Sequence, residues 1–195
     1  MTNRQPIEIK RRTNETNIHL KLLLSGERKI QVDTGIGFLD HMLKTLAFWA
    51  GWDLELTCQG DLHIDTHHTV EDVALSLGQA FAQAREGTAE IERFGSALAP
   101  LDEALCQVVA DLSGRPYCVF DASFNVERVG AFETTLTGHF FRSFATEARI
   151  NLHLRCLYGE VAHHIIEALF KATGLALRQA LVPRTGGVAS TKGSI

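Results

Sequence analysis

Two motifs, His67-His68-x-x-Glu71 and His163-His164-x-x-Glu167, have the residue types and spacing of a transition-metal centre, and that centre makes the chain an enzyme. On a helix, residues i and i+4 share a face, so His67 can converge with Glu71 on one ion and His163 with Glu167 on another. His68 and His164 stand about 100° around the axis, apart from those pairs. Each motif therefore offers a chelating pair and a lone imidazole. Two ions follow, each taking one pair, the lone histidine of another motif, and a further ligand for which His41 and His139 are the candidates. Three imidazoles and a carboxylate, without thiolate, suit Mn, Fe or Zn, and open octahedral positions favour Mn2+ or Fe2+. The set can close within one chain or between subunits, and the spacing leaves both open. Helix capping would account for Glu71 and Glu167 through the dipole, but capping requires no imidazole. Histidines standing alone are ordinarily surface or satisfied core residues, and His19, His63 and His153 are read so.

Basic residues in turns could grip an anion. Arg93 stands beside Gly95, Arg115 is fixed by Gly114 and Pro116, and Lys192 follows Ser190 and Thr191. Hydroxyls, backbone amides and an ammonium in the last segment could surround one phosphate. Lys171, two short turns after His163, could point along the same helix face toward the metal. Taken singly, each of these reads more readily as a solvated surface charge.

The elements that must position these residues come from a duplication. From each first motif histidine, the pairs His67/His163, His68/His164, Glu71/Glu167, Gly78/Gly174, Ala80/Ala176, Gln83/Gln179 and Ala84/Ala180 are identical at one constant offset. Upstream, His41-Met-Leu-Lys matches His139-Phe-Phe-Arg, each opening an amphipathic helix after a glycine-containing turn, at Gly35-Ile-Gly37 and Gly138. An alternating strand follows in each copy, Leu54 to Cys58 and Leu152 to Cys156. The first half opens with a strand from Ile18 to Leu24, a turn at Ser25-Gly26 and a returning strand from Lys29 to Val32. The second half opens with strands from Ala104 to Leu112 and Tyr117 to Asn125, joined by the Ser113-to-Pro116 turn. This predicts an α+β architecture of two similar half-domains, 1–93 and 94–182, packed as one compact body with a C-terminal tail at 183–195. On composition the tail reads as disordered.

The totals fit. The 195 residues, 45% hydrophobic and 22% charged, are those of a soluble globular chain. The four cysteines form no CxxC pair and read as reduced core residues of a cytoplasmic protein. Neither a signal peptide nor a membrane-spanning run is expected. A net charge of -4 argues against a nucleic-acid partner.

Gly35-Ile-Gly-Phe-Leu-Asp-His-Met-Leu43, Gly60-Asp-Leu-His-Ile-Asp65, His67-His-Thr-Val-Glu-Asp72, Pro100-Leu-Asp-Glu-Ala104, Asp111-Leu-Ser-Gly-Arg-Pro116 and Phe170-Lys-Ala172 together resemble the imidazoleglycerol-phosphate dehydratase family. The resemblance implies a hydro-lyase of histidine biosynthesis, converting imidazole glycerol phosphate to imidazole acetol phosphate. It implies a four-helix bundle between two four-stranded sheets, of the ribosomal S5 domain 2-like class. It further implies two Mn2+ ions per active site and a twenty-four-subunit homo-oligomer with active sites between subunits. Carried onto this chain, the metal ligands are His41, His67, His68, Glu71, His139, His163, His164 and Glu167. Substrate contacts are Glu15, His41, Arg93, Arg115, Lys171, Ser190, Thr191 and Lys192. Catalytic roles fall to Glu15, Glu71 and Glu167, with Glu15 inheriting proton transfer through the segment Arg12-Thr-Asn-Glu-Thr16. The tail becomes a phosphate-binding loop that orders on binding. The chain departs from the family pattern at Trp49, Val161 and Ala189.

The chemistry explains why metals are needed. The hydrogen to be removed is not next to a carbonyl, and no ordinary base takes it near neutral pH. An imidazole ring ionised by metal supplies the missing electron sink. Two other classes are compatible with the spacing. A metal-dependent hydrolase would use a metal-bound hydroxide, and a metal-storage shell would need more carboxylates than are present and no arginine turns.

Overall fold

The computed structural model describes residues 5–86, 90–187 and 189–190. Its first half runs β1 (Ile7–Arg12), β2 (Thr16–Leu23), β3 (Ile30–Asp33), α1 (Gly37–Ala50), β4 (Asp53–Gly60) and α2 (His67–Arg85). Its second half runs β5 (Phe94–Leu101), β6 (Ala104–Asp111), β7 (Tyr117–Asp121), β8 (Arg128–Val129), β9 (Phe132–Glu133), α3 (Leu136–Ala148), β10 (Asn151–Tyr158) and α4 (Ala162–Ala180). The strands order as β1-β2-β4-β3 in one sheet and β5-β6-β10-β7 in the other, with β8 and β9 a small hairpin inserted before α3.

Alternation explains the sheets. In β2, Ile18, Leu20 and Leu22 are buried while their neighbours face outward, and β6 repeats this with Cys106, Val108 and Ala110. The buried faces meet α1 and α2 on one side of the molecule and α3 and α4 on the other. The two helix layers then pack on each other, giving four helices between two sheets. Burying so many apolar side chains supplies the main driving force, at roughly 1.5–3 kcal/mol for each large one.

Several expectations require correction. The strand at 29–32 does not return against β2; β3 runs parallel to β4, reached through α1 as a crossover. Likewise β6 and β7 do not form a hairpin across the Ser113-to-Pro116 turn, because β10 lies between them. The expected strand to Asn125 stops at Asp121. The expected turn before α1 is made by Gly35, at φ 77°, with Gly37 already the first residue of the helix, whereas Gly138 lies inside α3 and is not a turn before it. Strands β1 and β5 were not anticipated, since Ile7 and Ile9 alone give β1 little apolar signal.

Helix pairing crosses the repeat: α1 packs on α4, and α2 packs on α3. The matched glycines sit at those crossings. A Cβ on Gly78 would meet the Phe144 carbonyl at 2.6 Å, and one on Gly174 would meet the Leu46 carbonyl at 2.6 Å. Close backbone approach is what these positions provide.

Candidate metal centre

The four helices begin at one end of the bundle. His67 is the first residue of α2 and His163 the second of α4, while His41 and His139 lie in the opening turns of α1 and α3. The crossed pairing brings His41 of α1 to the second motif and His139 of α3 to the first. His41, His163 and Glu167 form one group, and His67, Glu71 and His139 the other, with donor atoms within 4.8 Å of one another in each. In the first group the Glu167 carboxylate is 3.1 Å from His41 Nε2 and 3.2 Å from His163 Nε2. In the second, Glu71 is 3.5 Å from His67 Nε2 and 3.6 Å from His139 Nε2.

These residues fit a metal. Donors held about 2.1 Å from one ion stand about 3–4 Å apart, as here. His139 Nε2 is buried without a hydrogen-bond partner among the described residues, an arrangement that ligation would satisfy and that nothing else there does. Lys171 Nζ lies 2.8 Å from Glu167 Oε1. Burial works to raise the Glu167 pKa, but Lys171 and His41 outweigh it and hold the carboxyl below its ordinary value. Glu167 is thus kept as an anion.

The lone histidines join neither group. His68 Nδ1 lies 3.0 Å from the Asp61 carboxylate, and its Nε2 is 3.7 Å from Glu15 Oε1. His164 Nδ1 lies 2.7 Å from the Glu103 carboxylate. Each metal group thus has three of its expected four ligands within one chain. Glu15 sits in the β1–β2 turn, fastened by the Asp61 N–H to its carbonyl at 3.0 Å. The turn is tied to α2 through buried Asp72, which accepts from Thr16 Oγ1 and from Arg11 at 2.7 Å. Asp72, Asp61 and Glu103 each lie within a sequence motif, but spacing along the chain gives none of them a task. Only the fold reveals these partners.

Of the anion-gripping candidates, Arg93 and Arg115 lie at the opposite end. The Arg93 N–H donates to the carbonyl of Ala180, the last residue of α4. At 1.5 Å per residue, that is about 25 Å from His163. The Arg93 guanidinium forks onto Asp111 at 2.6 and 3.0 Å and donates to the Ala189 carbonyl at 2.9 Å, next to Ser190. Arg115 is exposed in the adjoining turn, where its carbonyl accepts from Asn151. Pro183 bridges to Ile91, so the start of the tail is docked. Thr191 and Lys192 lie outside the described residues.

A family model described as imidazoleglycerol-phosphate dehydratase matches residues 34–177, which include both metal groups. The chain belongs to this family. Imidazoleglycerol-phosphate dehydratases of Solidesulfovibrio magneticus and Gluconobacter oxydans are 51% and 54% identical, over 95% and 94% of both chains. Solved imidazoleglycerol-phosphate dehydratase structures share the fold. That from Staphylococcus aureus gives a TM-score of 0.80 at 36% identity, covering 92% of this chain and 99% of the other. That from Pyrococcus furiosus, in complex with (S)-C348, gives 0.83 at 37%, covering 96% and 100%. Imidazoleglycerol-phosphate dehydratases are hydro-lyases, and the α+β fold with two similar halves is theirs. No helix among the described residues is long and apolar enough to cross a membrane.

Proposed function

We propose that the chain eliminates water from imidazole glycerol phosphate to give imidazole acetol phosphate, at a pair of Mn2+ ions, as a step of histidine biosynthesis in the cytoplasm. The observation that carries the reading is the crossed pair of three-donor groups, one centred on Glu71 and one on Glu167, in a chain of this family. His41, His163 and Glu167 would hold one ion, and His67, Glu71 and His139 the other, with His68 and His164 completing the sets. Divalent ions held there would supply Lewis acidity to the substrate's imidazole ring.

The chain's own residues do the rest. Glu15 takes the proton from the carbon that becomes the ketone, the hydroxyl on the carbon next to the ring leaves as hydroxide, and that proton, passed on to the hydroxide, completes the water. The enol that remains becomes the ketone. Lys171 keeps Glu167 anionic and oriented. Arg93, Arg115, Ser190, Thr191 and Lys192 hold the phosphate and so fix the reacting carbons.

The separation of the two ends supports an active site shared between subunits. A glycerol chain cannot span about 25 Å, so one copy's histidine end must meet another's arginine end. The outer face of the β5-β6-β10-β7 sheet exposes Phe94, Leu98, Val109, Tyr117 and Val119, apolar surface suited to such an assembly. The twenty-four-subunit shell is the form this reading takes.

The test is incubation of protein, Mn2+ and imidazole glycerol phosphate, with assay for the ketone. No ketone from metal-loaded protein overturns the reading. Release of inorganic phosphate instead would favour a hydrolase.

A further inference from the structure

His68 and His164 are repeat mates, yet the carboxylates that hold them are not. Asp61 belongs to the connection between β4 and α2. Glu103 belongs to the β5–β6 turn. The repeat mate of Glu103 is found through the sheets. Ile18 pairs with Cys58 in one and Cys106 with Cys156 in the other, and Cys58 and Cys156 are themselves matched. With Ile18 aligned on Cys106, the residue preceding β2, Glu15, aligns on the residue preceding β6, Glu103.

The same turn position thus has two fates. In the first half Glu15 stands 3.7 Å from His68 Nε2, and Asp61 holds Nδ1 at 3.0 Å. In the second half Glu103 itself takes Nδ1 of His164 at 2.7 Å. Its other oxygen accepts the N–H groups of Glu160 and Val161 at 3.1 and 2.7 Å. The stretch from Cys156 to His163 is two residues shorter than that from Cys58 to His67, and its acidic residue, Glu160, is exposed. Asp102, exposed in the same turn, is 3.8 Å from His164 Nε2.

A carboxylate accepts and does not donate, so the ring nitrogen facing it must carry the proton. In a neutral ring the other nitrogen is then bare. Hydrogen bonds of this kind orient ligating histidines and raise their basicity. We propose that Asp61 and Glu103 are positioning residues that hold His68 and His164 as Nδ1–H tautomers with Nε2 free for a divalent cation. Glu103 performs in the second half what Asp61 performs in the first. Because Asp61 occupies Nδ1, Glu15 is left unspent; its mate Glu103 is consumed in support. A duplicated fold thereby acquires one proton-transfer carboxylate rather than two. The inference rests on the reading of the lone histidines as metal ligands.

The test is Mn2+ titration of the full chain, with free Mn2+ followed by electron paramagnetic resonance. Glu103→Ala and Asp61→Ala are each expected to weaken one class of Mn2+ site by about 10–100-fold and leave the other class unchanged. Asp61→Asn, which retains an acceptor oxygen for the His68 Nδ1–H, is expected to recover most of the affinity that Asp61→Ala loses; it also serves if that alanine variant fails to fold. Wild-type Mn2+ affinity in both alanine variants overturns the proposal. Failure of asparagine to rescue a folded Asp61→Ala chain also overturns it. His164→Ala separates the layers. If its Mn2+ binding matches wild type, the ligand reading itself fails; if it weakens while Glu103→Ala does not, only the positioning role fails.

Discussion

At the scale of single residues, the centre as proposed is divided between groups that would touch the reactants and groups that would hold them. Glu15 is exposed, 51% in its side chain, and lies near His68 alone among the described ligand candidates. Glu15→Gln is therefore expected to lower kcat by about 10²–10⁴-fold while Mn2+ binding is unchanged. Turnover at the wild-type rate would remove Glu15 from proton transfer. A pH dependence follows from the lone histidines. The hydrogen bond to Asp61 raises the His68 pKa above its ordinary 6.5, and that to Glu103 raises His164 likewise. His164 in turn, with the Val161 N–H, holds Glu103 down to about 2, so that carboxylate stays ionised over the range where the histidines titrate. A raised pKa means that protons are held to higher pH and compete with metal there. Mn2+ affinity is expected to begin falling above pH 6.5 on acidification. Titrations from pH 8 to 5 that show weakening only below 6 would contradict this.

At the scale of elements, the helices were legible because their apolar period and the paired motifs mark the same segments. The ligand triplets were not, since i and i+4 geometry places His67 beside Glu71 but says nothing of which helix lies opposite. That His139 rather than His41 joins His67 and Glu71 depends on α2 packing against α3. Strand order was hidden for the same reason: alternation tells which face Val108 and Leu154 turn inward, not that β10 inserts beside β6. Gly78 and Gly174 were visible as matched letters, and their purpose only appears at the crossings. Alanine in a helix is favoured over glycine by about 1 kcal/mol, whereas forcing a methyl into packed backbone costs about 1–3 kcal/mol. The contacts at 2.6 Å are with backbone carbonyls that cannot swing aside, so the second effect wins. Gly78→Ala and Gly174→Ala are each expected to destabilise, measured by thermal or denaturant unfolding, and to loosen Mn2+ by spreading the ligands of one group. Stabilised variants with unchanged Mn2+ affinity would show that these crossings do not set the site.

At the scale of the whole molecule, every helix starts at the histidine end, and strands carry the chain back to begin the next. The β1–β2 and β5–β6 turns meet the helix starts there, which is why Glu15, Asp102 and Glu103 gather near imidazoles. The other end holds Arg93, Arg115 and Ser190. Such a layout has a genetic consequence. With an active site shared between subunits, as proposed, a defect at one end and a defect at the other are expected to be repairable by mixing. Chains carrying Glu71→Gln and chains carrying Arg115→Ala are each expected to be inactive as pure preparations. Co-assembled in equal amounts from dissociated subunits, they should regain about a quarter of full activity, the share of sites that draw an intact face from each parent. Two lesions on the same face, Glu71→Gln with Glu167→Gln in different chains, should recover far less. Equal recovery from both mixtures would mean that each chain does its chemistry alone.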